Sequence, residues 1–93
     1  MAETTARVAT QNASRYLQQL CKHWAHKLDV TVTPEEGTVR FPEAVAVMRA
    51  EPELLVVGIM AADPLVLERM KGVVATHLDR FAFKEAPLGF DWS

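Results

Sequence analysis

A single cysteine, Cys21, stands in this chain of 93 residues. It excludes an intrachain disulfide and argues against an oxidising compartment. Basic segments are missing as well: ten Lys and Arg against twelve Asp and Glu leave a net charge of −2, with no cationic cluster. Nucleic acid rewards a positive stripe through counterion release, so it is disfavoured as a partner. The longest apolar run, Leu54 to Ala62, is about half of what a membrane span needs. Met1-Ala2-Glu3-Thr4-Thr5 offers neither the basic nor the apolar region of a signal peptide. Together these absences predict a cytoplasmic protein with no membrane partner. The four glycines, Gly37, Gly58, Gly72 and Gly89, are scattered and build no phosphate loop.

What remains is ordinary globular material, 49% hydrophobic and 24% charged, enough for one domain over residues 1–93. Thr5 to Thr10 alternates as a strand, and Asn12 is placed to cap the helix that follows. Ala13, Tyr16, Leu17, Leu20, Cys21, Trp24 and Leu28 recur at three- and four-residue steps and form one apolar stripe. Four strand-like runs come next: Val30 to Thr33, Val39 to Phe41, Ala44 to Ala50 and Leu54 to Ala62. The turn Pro34-Glu35-Glu36-Gly37 separates the first two. Asp63-Pro64 opens a second helix, with Val66, Leu67, Met70, Val73, Val74, His77, Leu78 and Phe81 on one face. The tail from Lys84 holds the breakers Pro87 and Gly89 and closes on Phe90-Asp91-Trp92. Strands grouped between two amphipathic helices predict an α+β two-layer sandwich. The expected order is β-α-β-β-β-β-α, with about five antiparallel strands, both helices on one face and room for a short C-terminal strand. Leu17, Leu20, Trp24, Val32, Phe41, Val56, Val74 and Phe81 are the expected core.

Two segments carry a resemblance: Ala13-Ser14-Arg15-Tyr16-Leu17 running on to Leu20-Cys21-Lys22-His23-Trp24-Ala25-His26-Lys27, and His77-Leu78-Asp79-Arg80-Phe81-Ala82-Phe83. The chain resembles the bacterial domain-of-unknown-function family 2218 over nearly its whole length. The resemblance implies a small bacterial protein without an established activity, and a link to iron or siderophore metabolism. Lys84 stands where many relatives carry arginine, and the two cations are not equivalent at a bidentate anion site.

Several residue types invite a chemical reading. His23 and His26 are neighbours on a helix face and are candidate metal ligands, but zinc needs at least three protein ligands. Cys21 points to the opposite side, and only His77, from the second helix, is left as a third nitrogen. A solvated histidine pair near a helix C-terminus is the plainer reading. His77 falls inside an apolar stripe, where an imidazole must be hydrogen-bonded; Ser14 and Cys21 are the only candidate nucleophiles for it, both read as parts of the first helix, and no oxyanion donor is evident. Arg40 and Arg49 are expected beside Thr31 and Thr33 on the sheet face away from the helices, as anion holders or as solvated cross-strand residues. With Arg80 and Trp92 they complete the candidate ligand-binding set. The fourth strand run is apolar on both alternating faces, and Val45 and Val47 extend that character to its neighbour. An antiparallel sheet with one wet face alternates cleanly, so a cover is expected: the tail, a second copy or a small organic ligand. The leading reading is a non-enzymatic binding or accessory protein without cofactor. The alternative is a small metal-dependent or histidine-based enzyme using His23, His26 and His77. Purified protein is expected to carry no stoichiometric zinc or iron. Elemental analysis giving about one metal per chain, lost in His23→Ala, would overturn this.

Overall fold

The computed structural model describes residues 2–82, 84–85 and 88–93. Its elements run β1 (Ala2–Ala9), α1 (Ala13–Trp24), β2 (Asp29–Val32), β3 (Glu36–Arg40), β4 (Ala44–Glu51), β5 (Leu54–Ala61) and α2 (Pro64–Phe81). The five strands form one sheet in the order β1-β5-β4-β3-β2, and every neighbouring pair is antiparallel. Strands β2 to β5 follow one another through hairpins. β1 docks on the free side of β5, so α1 must carry the chain from one edge of the sheet to the other. This is the expected α+β order. Phe83 of the family-like segment and the breaker Pro87 lie outside the described residues.

Alternation decides which side of each strand meets the helices. In β1, Thr4, Ala6 and Val8 are buried while Glu3, Thr5 and Arg7 are exposed. In β5 the buried set is Leu55, Val57, Ile59 and Ala61, and in β4 it is Ala44, Ala46 and Met48. Helix α1 lies across β2, β3, β4 and β5, and α2 lies across β1, β5 and β4, with the two helices touching each other. The stripe of α1 is buried from Ala13 to Trp24 as its spacing dictates, and α2 buries Leu67, Met70, Val74 and Leu78. Trp24 meets Phe41 edge to face, with ring centroids 4.9 Å apart. Both rings therefore close the same end of the core.

The two helix starts differ. Asp63 Oδ1 accepts a hydrogen bond from the Leu65 amide at 2.8 Å, and Pro64 occupies the first turn, where a missing N–H leaves nothing unsatisfied. Asn12 stands at the start of α1, but its side chain makes no capping bond. It donates to Glu85 instead.

Two expected core residues fall elsewhere. Val56 lies on the face away from the helices, and Val57 takes the buried place. Both alternating sets in β5 are apolar, so hydrophobicity alone could not choose the face. Val32 is 39% exposed. It shares a register position with the buried Gly37, but at the end of an edge strand it has a neighbouring strand on one side only. Phe41 and Phe81 are half-buried against the core rather than within it.

The turn between β2 and β3 is shorter than the run from Pro34 to Gly37 suggests, because Glu36 and Gly37 are already strand residues. Gly37 is there because α1 sits directly on it. A Cβ at this position would stand 2.6 Å from Cys21 Sγ and 3.4 Å from Leu17 Cδ1, so the absent side chain sets the height of α1 above β3. We predict that Gly37→Ala destabilises the fold by about 1–3 kcal/mol through overpacking. Adding Cys21→Ala should recover part of that loss, measured by denaturant unfolding. Equal midpoints for wild type and Gly37→Ala would show that α1 is not held this close.

Candidate functional site

The described residues leave the face of the sheet opposite the helices without cover. The strand register arranges it as a grid. One row reads Arg7, Val56, Arg49, Glu36 across β1, β5, β4 and β3. The next reads Thr5, Gly58, Val47, Thr38, and continues to Thr31 on β2. The third reads Glu3, Met60, Val45, Arg40 and Asp29. The two middle columns are thus apolar except at Arg49, and the outer ones are polar. Val47 is 39% exposed and Met60 36%. Leu54, Val45 and Val56 are half-buried beside them.

Gly58 makes a notch in the middle of this face. Shallow depressions of about 230 Å³ and about 160 Å³ meet there, bounded by Thr5, Val47, Val56 and Met60. A third, of about 370 Å³, opens at the end of the face between Phe41, Pro42, Val45 and Met60. Small-molecule sites are usually concave and enclose most of their ligand. This face is instead broad, with only open, shallow depressions.

The described residues of the C-terminal tail do not lie on it. Ser93 and Thr5 exchange backbone hydrogen bonds at 3.0 and 3.2 Å, and Trp92 bridges Ala6. The tail therefore pairs with the outer edge of β1. Phe90 and Trp92 stack with centroids 5.6 Å apart and pack against the helix-side core, and Leu88 is buried in it. The unpaired backbone groups of the β1 edge find partners in the tail, whose apolar side chains pack on the core at the same time.

Glu85, which spacing did not single out, anchors the start of this tail. Its carboxylate accepts hydrogen bonds from the Tyr16 hydroxyl, from Asn12 Nδ2 at 3.1 Å and from Thr10 Oγ1 at 3.1 Å. Asp79 adds a second clasp, accepting from the Leu88 amide at 2.9 Å. The bond from Tyr16, with those from Asn12 and Thr10, holds the Glu85 carboxyl below its ordinary value. The same bond, followed by burial, raises the Tyr16 hydroxyl. No periodicity marks such a contact, because its members lie 69 to 75 positions apart.

The histidines separate. His77 Nδ1 bonds the Val73 carbonyl at 2.6 Å, one turn back on α2. Its ring stands 5.6 Å from that of His23 and 5.1 Å from Trp24, centroid to centroid. The two helices do bring His23 and His77 together. His26 lies beyond the end of α1, in the turn after Trp24, and is exposed. Among the described residues, no group of three or more His, Cys, Asp or Glu is placed to hold a metal ion. Cys21 is buried, and desolvation pushes its thiol up to about 11. The Ser14 hydroxyl donates to the Pro34 carbonyl at 2.6 Å.

Arg40 and Arg49 both lie on the open face, as expected, but at opposite ends of the β3–β4 hairpin. Arg49 stands four residues along β4 from Val45, the register partner of Arg40, roughly 13 Å at the strand rise. Arg40 pairs with Asp29 at 3.7 Å and Arg49 with Glu51 at 3.0 Å. Arg80 is exposed in the last turn of α2, and Trp92 is at the β1 edge. The candidate ligand-binding residues therefore do not converge on one site.

Residues 5–93 match the family described as uncharacterized proteins conserved in bacteria, DUF2218. The chain belongs to this family. This DUF2218 protein is similar to PA4090 from Pseudomonas aeruginosa, whose NMR structure agrees with a TM-score of 0.85 at 36% identity, covering 100% of this chain and 96% of that one. Among curated proteins, none matches. No helix of the described residues is long and apolar enough to cross a membrane.

The Glu85 clasp has a pH signature. A lowered Glu85 contributes stability above its ordinary value of 4.5 and loses it as the pH falls through the lower folded value. A raised Tyr16 contributes below 10.0 and loses it as the pH rises beyond. We predict that wild type unfolds at higher temperature than Glu85→Gln at neutral pH. The gap should close as the pH falls from 4.5 through the lower folded value of Glu85. Identical melting temperatures at pH 7 would remove the clasp.

Proposed function

We propose that this DUF2218 protein is a non-enzymatic binding or accessory protein that works through the open face of its sheet. The observation that carries the reading is the apolar strip of Val56, Met60, Val45 and Val47, which the described residues of the tail leave uncovered by pairing with the β1 edge. Soluble chains seldom keep a contiguous apolar patch beyond roughly 400 Å² unless it binds something. The chemistry elsewhere supports binding over catalysis. The buried thiol of Cys21 has its proton held by desolvation, Ser14 is engaged by a carbonyl, and His77 Nδ1 is engaged by the Val73 carbonyl. Nothing in the geometry speaks for the iron or siderophore context that the family resemblance implies, and it forms no part of the proposal.

Native mass spectrometry of freshly purified protein tests this directly. Wild type should appear heavier than one chain, as a second copy or as a chain with retained ligand. Val56→Glu, which puts a charge on the strip without touching the core, should be folded by circular dichroism and appear as the bare chain. Bare monomer for both proteins at high micromolar concentration would sink the reading.

A further inference from the structure

We propose that the occupant of the open face is a second copy of this chain, docked about a two-fold axis that runs along the strands between β5 and β4. This rests on the reading of that face as the binding surface. The argument comes from the signs and positions of the charges around the apolar strip. Arg7 on β1 and Glu36 on β3 end one row of the grid, and Glu3 on β1 and Arg40 on β3 end the row two steps away. The four corners therefore alternate in sign. A face-to-face two-fold along the strands exchanges the β1 and β3 columns. It lays Arg7 over Glu36 of the second copy and Glu3 over Arg40 of the second copy, at both ends of the interface. In a two-fold contact each off-axis residue meets a different residue of the second copy, and here every corner meets a charge of opposite sign.

The middle columns agree with the same axis. Exchanging β5 and β4 places Val47, 39% exposed, over the Gly58 notch of the second copy, and the reverse contact follows by symmetry. Met60 falls on Val45 and Val56 on Arg49 of the second copy, so the apolar match holds in two of the three rows. A Cβ at Gly58 would have nothing nearer than the Val47 carbonyl at 3.8 Å, so the notch is open toward the partner rather than filled from its own chain. Packed sheets sit about 10 Å apart with strands roughly 30° from parallel. That rotation moves the corners by about 5 Å, within reach of arginine and glutamate side chains. Arg7, Glu3 and Glu36 make no ion pair among the described residues, and the Arg40–Asp29 pair is exposed and long at 3.7 Å. These groups can be shared across an interface without breaking a strong internal bond. The four strands that overlap about this axis, at about 4.8 Å spacing and about seven residues of length, give a face of roughly 450 Å² in projection. That area suits a reversible association in the micromolar range rather than an obligate dimer.

Sedimentation equilibrium separates the outcomes. Wild type should be a monomer–dimer mixture at micromolar concentration. Arg7→Glu should weaken the dimer about tenfold, since each change acts twice in a two-fold interface, and Gly58→Val should weaken it by filling the notch. The charge-swapped pair Arg7→Glu with Glu36→Arg should return the dimer to near wild-type strength, with circular dichroism confirming that each variant is folded. A dimer that Arg7→Glu leaves unchanged, or that the swapped pair fails to restore, overturns this arrangement. Wild type found as one chain with a retained small molecule, lost in Val56→Glu, overturns self-association while the open-face reading stands. A bare monomer throughout overturns both.

Discussion

Two helices can roof one side of a five-stranded sheet and no more, and the rest of this molecule is arranged around that limit. Helix α1 covers β2 to β5, α2 covers β1, β5 and β4, and together they bury one alternating set of side chains on each of the three strands from β1 to β4 in the sheet order. How closely the roof sits is set by Gly37, where the Cys21 sulfur occupies the space a side chain would need. Hydrophobic stabilisation scales with apolar area removed from water, so a roof held this low draws what it can from a chain of modest size. The opposite set of side chains receives nothing from the roof. β5 nonetheless carries Leu54, Val56 and Met60 there, a choice that fold stability alone does not require.

The elements were legible because their periods are clean. The stripe from Ala13 to Trp24 and the pair Asp63-Pro64 mark their helices with residue types whose physical roles are local. Where the outcome depended on distant partners, the residues were silent. Asn12 has the chemistry of a helix cap, but Glu85 competes for its side chain from 73 positions away. Val56 and Val57 are identical in kind, and only the register with Arg7 and Arg49 assigns them to opposite faces. Gly37 resembles the end of a turn because a glycine demanded by close approach looks the same in sequence as one demanded by a bend.

The candidate site shows the same division. The double-sided apolar character of β5 was visible, and it located the face. The alternation of charge around that face was not, because Arg7, Glu36, Glu3 and Arg40 come from strands whose order in the sheet is not their order in the chain. Sequence spacing cannot say whether two helices meet, and here α1 and α2 bring the rings of His23 and His77 to 5.6 Å. His26 falls outside that meeting because α1 ends at Trp24.

The tail along β1 has a consequence for how this protein can assemble at all. An exposed strand edge is a template on which another sheet can grow sideways, the route to open-ended aggregates. Here Ser93 occupies the middle of one edge by exchanging both backbone bonds with Thr5. The other edge, β2, is four residues long, opens on the charged Asp29 and meets Pro34 soon after its end. Lateral growth is thus discouraged on both flanks. Contacts are steered to the one direction perpendicular to the sheet, where the proposed two-fold would close on itself and stop growth at two.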